Sequence, residues 1–254
     1  MEVHAHTHTP RKKWTHYFWE FLMLFLAVFC GFLAEYQLEH KIEKDRAKEY
    51  ARALYDDIVS DTANLKKTIE NVSKLITYED TLIDLLDKMN VEKVKVAEAK
   101  LYHYALLCQR GSIFSIKTST LTQLKNSGAL RLFKSSQLIR LVAEYDQTIN
   151  NETLRLDDNQ YTRDEQNQSF HQVFNYSLLT RVERLLQQYP NSRDSILNLE
   201  MPLLNRDEKS LSDLFYAVHL RRDNLNRRVE KFYTEPLEAG IKLIRALKEE
   251  YHLQ

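Results

Sequence analysis

The chain has 254 residues, and its 36 basic and 36 acidic side chains give a formal net charge of zero. This balance argues against nucleic acid as an electrostatic partner. Four glycines and four prolines are too few for the turns of a sheet-rich protein, so the composition predicts an all-α fold built from long helices. The one period-two stretch, Val91–Val96, is short for a strand.

Residues 1–16 form a polar tail, which we predict to be cytoplasmic. His4, His6 and His8 alternate in it and would suit a metal clip, but no cysteine or acidic ligand completes a first coordination shell. We therefore favour a solvated tail over a metal site.

The next segment, Phe21–Ala34, carries no charge over fourteen residues. As a helix it rises only about 21 Å, which is less than the hydrocarbon core of about 30 Å. Aromatic side chains extend it on both sides, and Trp14 to Tyr36 spans about 34 Å with rings at both headgroup levels. The pattern predicts a transmembrane helix over residues 17–37; the alternative is a core helix of a soluble bundle.

Three other roles for an N-terminal apolar run fit less well. Cleavage after Ala34 would place Phe32 where a signal peptidase requires a small residue, and Phe29 precedes Cys30 where a lipoprotein signal requires one. A transit peptide would be rich in arginine and poor in acids, whereas Glu20 lies in this segment. We therefore expect an uncleaved anchor in the lipid bilayer.

The charges beside the anchor set its expected orientation. Three basic residues precede it, with Glu2 as the only acid, and acids accompany the four basic residues that follow it. The count of lysine and arginine alone differs little between the two sides, so this prediction rests on the acids as well. We expect a cytoplasmic N-terminus, an extracytoplasmic body and a location in the inner (cytoplasmic) membrane.

Glu20 is a candidate site residue because it lies about 11 Å from the centre of the apolar run, and an intramembrane carboxylate is a functional candidate. A rim acid that snorkels to the interface beside His16 and Trp19 is the interpretation we favour.

A second candidate is the face formed by the small residues Ala27, Gly31 and Ala34, with Cys30 beside it. Small residues at this spacing let two membrane helices approach closely. The partner on this face would be a second copy of the chain or another membrane protein.

A charged stalk follows the anchor, and a heptad pattern then begins in residues 38–254, the predicted bundle domain. Ile69, Ile76 and Ile83 widen the apolar stripe, which suits a multi-helix bundle better than a two-stranded coiled coil. Polar residues in the pattern indicate either local exposure or a fixed register. One row comprises Ala51, Ile58, Leu65, Val72, Glu79 and Leu86, and its companion Leu54, Asp61, Thr68, Leu75, Leu82 and Met89.

The first long helix is predicted to end near Asn90, and a second to cover Ala97–Arg110 with Gly111 as its C-cap. A short helix from Ser119 closes at Gly128, a residue able to take the left-handed conformation.

Ser135 or Ser136 caps the following helix, and the polar stretch Asp157–Ser169 is predicted to be helix rather than loop because it lacks glycine and proline. Tyr189–Arg206 is predicted to be irregular. The final helix starts near Asp207 as N-cap, and Pro236 bends or splits it.

The segment Leu121–Asp146, LTQLKNSGALRLFKSSQLIRLVAEYD, together with an apolar helix that opens on Glu20, resembles an uncharacterised family of small single-pass bacterial membrane proteins. In that family a helix ends in a similar Leu-Lys-Ser/Asn-Ser-Gly turn, and a new helix leads to a tyrosine near the position of Tyr145. The resemblance covers about the N-terminal 60% of the chain. It implies a bacterial envelope protein and no assigned activity.

No catalytic, cofactor-binding or metal-binding constellation stands out. Glu249 and His252 form half of a di-iron motif, and the glycines form no phosphate loop or nucleophile elbow. Asp56 and Asp57 diverge by about 100° on a helix, too far for an acid and base pair without tertiary help. The basic cluster Arg221, Arg222, Arg227 and Arg228 is interpreted as a solvated helix face.

The sequence thus predicts a membrane-anchored, long-helix antiparallel bundle that is not an enzyme, uses no cofactor, and acts as a scaffold or interaction component of the bacterial cell envelope. The alternative is an extracytoplasmic ligand-sensing bundle that signals through a membrane partner. Sixteen residues on the inner side would leave such a sensor without its own output domain.

Overall fold

The computed structural model of the protein describes residues 14–90, 92–111, 117–153 and 156–253. These residues form helices and connecting segments with no β-strand, which confirms the all-α prediction. Residues 92–96, the described part of the period-two stretch, accordingly form no strand. The chain divides into two units, Met1–Tyr50 and Ala51–Gln254.

The helices follow in chain order, with two short 3-10 segments and one π-helical segment between them. They are α1 (Trp14–Asn90), α2 (Glu98–Cys108), α3 (Ser119–Asn126), a 3-10 turn (Ala129–Leu132), α4 (Ser136–Thr153), α5 (Leu156–Val173), α6 (Tyr176–Gln188), a 3-10 turn (Pro190–Ser192), α7 (Arg193–Leu197), α8 (Glu208–Arg227), a π-helix (Arg228–Tyr233) and α9 (Thr234–Tyr251).

In the first unit, the described residues form the N-terminal part of α1, and its apolar side chains are exposed. By length and composition α1 could cross a membrane, and no residue of its most apolar window is buried within the protein. Phe25 stacks between Phe21 and Phe29, with ring centroids 6.2 Å and 5.9 Å apart. Four-residue spacing on a helix produces this ladder.

In the second unit, α1 supplies the two predicted heptad rows, and all their members are buried except the partly buried Met89. Leu65, Leu82 and Leu86 are fully buried, as is Glu79 among them. Of the two interpretations of the polar residues in these rows, local exposure is wrong for Asp61 and Glu79, because both are fully buried.

The other helices pack in pairs that complete the core: α5 with α8, α4 with α9, and α2 with α6. The larger apolar cluster joins the C-terminal part of α1 to α2, α5, α6 and α8, and includes Tyr102, Phe170 and Leu214. A smaller cluster joins Leu65 and Val72 of α1 to Leu225 of α8 and its neighbours. Long helices with one apolar face each are thereby buried against one another.

Several helix ends follow the predicted chemistry. The first helix ends at Asn90, and Gly128 adopts the left-handed conformation with φ of 67°. Ser135 Oγ accepts a hydrogen bond from Leu138 N at 3.1 Å, and Asp207 Oδ1 accepts one from Ser210 N at 2.9 Å. These side chains satisfy N–H groups that lack partners in the first helical turn. Asp157–Ser169 is helical, as predicted, within α5.

Three boundaries differ from prediction. Gly111 is not a C-cap, because α2 ends at Cys108 and Gln109 keeps a right-handed conformation, with its N–H bonded to Ala105 O. Tyr189–Arg206 is not wholly irregular, since it contains a 3-10 turn and α7.

The third difference concerns Pro236, which lies in the first turn of α9 and does not split it. A proline costs little there, because the N–H groups of a first helical turn have no intrahelical partners. The α-helical pattern instead changes in the π-helix before it, where Thr234 Oγ1 donates to Val229 O at 2.7 Å.

Gly240 marks a close approach of α9 to α1 and α4. A Cβ atom at this position would lie 2.8 Å from Thr62 Cγ2 and 3.4 Å from Tyr145 Cε2. Real Cβ contacts are longer than the first distance, and Thr62 is a short, buried side chain with little freedom to move.

We predict that Gly240→Ala lowers the free energy of unfolding by about 1–3 kcal/mol, because overpacking outweighs the gain in helix propensity. Thermal unfolding followed by circular dichroism would measure the change. Gly111→Ala is the control, since a Cβ atom there would meet only the end of the flexible Arg163 side chain, at 3.4 Å. An unchanged unfolding temperature for Gly240→Ala would contradict the close packing.

Candidate functional site

The four site residues predicted from the sequence lie on α1 in the first unit. Glu20, Ala27, Gly31 and Ala34 are separated by seven, four and three residues, so they share one helical face. By the same periodicity Phe25 and Phe29 of the aromatic ladder lie on the opposite side, and Phe21 lies about 100° from Glu20. The structure thus brings the predicted residues to one exposed face.

Glu20 pairs with a neighbour on this face. His16 Nε2 lies 3.2 Å from Glu20 Oε1, one helical turn away, and both side chains are about half exposed. The pair is consistent with the interpretation of Glu20 as a rim acid beside His16.

Neither of the two metal-binding patterns considered in the sequence corresponds to a metal site among the described residues. His4, His6 and His8 lie outside the described residues. Within the described ranges, no group of three or more histidine, cysteine, aspartate or glutamate side chains is arranged to hold a metal ion. His252 lies just beyond α9 in a left-handed conformation with φ of 53°.

A buried polar cluster in the second unit was not predicted. We call it the Glu79 cluster; it comprises Glu79 of α1, Cys108 of α2, Gln166 of α5 and Arg221 of α8. Gln166 Nε2 donates a hydrogen bond of 2.6 Å to Glu79 Oε2. Burying a polar group without a partner costs free energy, so the fold must keep the partners of these side chains in place.

Arg221 makes its contacts on α5. Its Nη1 donates to Asn159 Oδ1 at 2.6 Å, to Asn159 O at 3.1 Å and to Thr162 Oγ1 at 3.2 Å. The guanidinium therefore binds α8 to one turn of α5, one turn away from the site where Gln166 binds Glu79.

Burial governs the ionisation of this cluster. It raises the pKa of Glu79 to about 8, although Gln166, Cys108 and the charge of Arg221 oppose the rise. Burial also lowers the pKa of Arg221 to about 10 and raises that of Cys108 well above its usual value. At neutral pH the cluster thus holds a neutral carboxyl group, a charged guanidinium and a protonated thiol, which is a poor nucleophile.

The interpretation of the basic cluster as a solvated face is wrong for two of its members. Arg221 and Arg228 are 5% and 3% exposed, whereas Arg227 is exposed. Arg221 follows Leu214 by seven residues and precedes Arg228 by seven, so the heptad spacing of the apolar stripe was the signal that could have identified them.

A second polar group fixes the start of α3. Asp61 Oδ1 accepts a hydrogen bond from Lys117 N at 3.0 Å, and its Oδ2 accepts one from Tyr145 OH at 3.1 Å. Asp57 Oδ2 accepts one from Thr120 Oγ1 at 2.6 Å. Burial raises the pKa of Asp61, and it raises that of Tyr145 as well. These carboxylates serve as anchors between α1 and α3.

A third group holds the segment after α7 against α2. Glu98 pairs with Arg206 and accepts a hydrogen bond from Met201 N at 3.1 Å. Tyr102 OH donates to Pro202 O at 2.8 Å and accepts from Asn175 N at 3.1 Å. Side chains of α2 thereby supply hydrogen-bond partners for the Met201 N–H and the Pro202 carbonyl group of this irregular segment.

His103 of α2 lies close to Arg193, with 2.9 Å between His103 Nε2 and Arg193 Nη2. Burial, followed by the charges of Arg193 and Arg110, lowers the pKa of His103 to about 4. The ring is therefore neutral near pH 7 and suited to accept a hydrogen bond from the guanidinium.

The raised pKa of Glu79 predicts that the bundle loses stability as pH rises. The pKa of this carboxyl is 4.5 in the unfolded chain and about 8 in the folded protein. The stability that its protonation contributes is therefore complete below about pH 4.5 and is lost as the pH rises through about 8. The loss is on the order of 5 kcal/mol. Chemical denaturation at about pH 5 and about pH 9 measures it.

Glu79→Gln should remove most of this pH dependence, because the amide does not ionise. Glu70→Gln is the control on the same helix, since Glu70 is an exposed glutamate paired with Lys74. Equal pH dependence in the wild type and in Glu79→Gln would contradict the assignment.

No protein-family model matches this chain, and neither a curated protein nor a solved structure matches it. The resemblance to single-pass bacterial membrane proteins therefore stays a prediction.

Proposed function

We propose that this chain is a single-pass, membrane-anchored helical protein that acts as a non-enzymatic scaffold or interaction component of the bacterial cell envelope. The anchor is the apolar part of α1, and the second unit is the interaction domain.

The observation that carries the proposal is the exposure of the apolar segment. Phe21, Leu24 and Val28 are 64%, 68% and 67% exposed, and no residue in the most apolar window is buried by the protein. An apolar surface of this extent is unfavourable in water, at about 25 cal/mol for each Å². A lipid bilayer removes that cost.

The distribution of side chains around the segment supports the same proposal. Trp14 and Tyr36 lie at its two ends and are 82% and 52% exposed, which suits the headgroup regions. The small residues Ala27, Gly31 and Ala34 offer a surface for another membrane helix, either from a second copy or from a different protein.

Support for a non-enzymatic role comes from the use of the buried ionisable groups. Asp61, Glu98 and His103 are each engaged by backbone or side-chain groups of neighbouring elements. These contacts hold helices together, as expected of a rigid interaction domain.

We expect Leu24→Lys combined with Val28→Lys to release the protein from membranes. Two lysines near the centre of the helix raise the cost of insertion by about 5–7 kcal/mol. Fractionation of cells, followed by an alkaline wash of the membranes, measures the distribution.

Val59→Lys is the matched control, because Val59 is an exposed valine on the same helix within the second unit. It should leave the membrane fraction unchanged. Recovery of the wild-type protein in the soluble fraction would refute the anchor.

We further propose that the N-terminus is cytoplasmic and the second unit extracytoplasmic, on the basis of the flanking charges. An alkaline phosphatase fused to the C-terminus should then be active, and a fluorescent protein fused there should be dark. The reverse pair of results would invert the orientation without affecting the anchor.

A ligand-sensing bundle is the second candidate, favoured by the continuity of α1 from the apolar segment into the buried rows. Purification in a mild detergent distinguishes the two. A stoichiometric protein partner supports the scaffold, and a small molecule retained by the bundle supports the sensor.

A further inference from the structure

The last three helical segments, α8, the π-helix and α9, follow one another without a break along the chain. They run antiparallel to α1, because Arg222 of α8 pairs with Asp80 while Gly240 of α9 lies against Thr62. A helix that packs along a bundle for this length keeps its buried residues about seven positions apart. The spacing of the buried residues therefore shows whether the helix keeps one register.

The buried residues of this helix include two rows, and each row has one irregular step. Members of a row are seven positions apart except at the π-helix, where one step of each row is eight. The chain therefore contains one residue more than a regular repeat requires. One row comprises Leu211, Val218, Leu225, Tyr233, Gly240 and Leu247, and the other Leu214, Arg221, Arg228, Pro236 and Leu243.

An uninterrupted seven-residue repeat would produce a different core. Continued past Arg228, it would bury Glu235 and Lys242, and both of these side chains are exposed in the structure. The eight-residue step buries Pro236 and Leu243 in their place. Because charged side chains are costly to bury without partners, the irregular step keeps the core of the bundle apolar at this point.

The π-helix has the geometry that takes up an extra residue. Its hydrogen bonds join residues five positions apart rather than four, so each turn contains more residues than a turn of α-helix. The N–H and hydroxyl groups of Thr234 both donate to Val229 O, and Arg228 Nε donates to Tyr233 OH at 3.1 Å. Leu225 and Tyr233, eight positions apart, consequently belong to the same apolar cluster on α1.

Pro236 by itself does not account for the irregular step. A proline removes one N–H donor and bends a helix, but it does not change the number of residues in a turn. Both rows change their spacing, and the step from Leu225 to Tyr233 ends before the proline is reached. The extra residue therefore explains both rows, whereas the proline explains neither.

We propose that the π-helix is a register joint, which takes up one residue beyond the repeat and lets α8 and α9 each pack in register with the bundle. The two helices meet different partners, because α8 packs on α5 and α9 packs on α4. Without the joint, one of these two pairs would be rotated by about 100°, the angle of one helical residue. The joint lies within the second unit, so the proposal does not depend on the membrane anchor.

Deletion of one exposed residue from the π-helix tests the proposal in the full chain, purified in a mild detergent. We expect deletion of Lys231 from the Pro236→Ala protein to turn the π-helix into α-helix with seven-residue spacing. The unfolding temperature should stay within about 3 °C of that of Pro236→Ala alone. The Pro236→Ala background is needed because a proline inside a continuous α-helix would lower the stability for a separate reason.

Deletion of Glu238 in the same background is the control, since Glu238 is an exposed acid of α9 just beyond the joint. It takes α9 out of register and should lower the unfolding temperature by about 10 °C or more, or prevent folding. A loss for the Lys231 deletion as large as that for the Glu238 deletion, or failure of both proteins to fold, would overturn the proposal.

A crystal structure of the Pro236→Ala variant, with Lys231 retained, is an independent test. We expect the π-helix to persist, with Thr234 N still bonded to Val229 O, because the extra residue is still present. A regular α-helix in its place would show that the proline produced the π-helix and would refute the register joint.

Discussion

The second unit depends on the burial of one helix. Two rows of α1 side chains, repeated every seven residues, are covered by the other helices of the bundle. Removing apolar side chains from water is the largest favourable contribution to folding, and a seven-residue repeat keeps the contact on one face of a long helix. The pairs formed by α5 with α8 and by α4 with α9 supply the covering surfaces.

Polar residues within these rows give the packing its specificity. Asp61 and Glu79 are fully buried on α1, and their partners lie on different elements of the chain. Apolar rows alone permit a helix to slide by one heptad, whereas a buried polar contact forms in one register only. Its cost is the desolvation that raises the pKa of Glu79.

The first unit contains the same kinds of apolar residue as the second, but the protein does not bury them. Its phenylalanines and leucines are exposed, although their spacing would suit burial as well. Either the protein interior or a lipid bilayer can remove such apolar side chains from water. We propose lipid as the surroundings of this segment, and this choice makes it a membrane anchor. The pair of His16 and Glu20 lies at the edge of the segment, where water is accessible in either case.

The sequence by itself determined the helical class, the end of α1 at Asn90, the Asp207 cap and the inward rows, because these depend on local propensity and on periodicity along one helix. Only the tertiary structure decided that Arg221 bonds to Asn159 and Thr162 and that Glu79 lies beside Gln166, 87 positions away in sequence. A single helix carries no information on which distant side chain meets it. The partners of buried polar groups are fixed only when the helices pack.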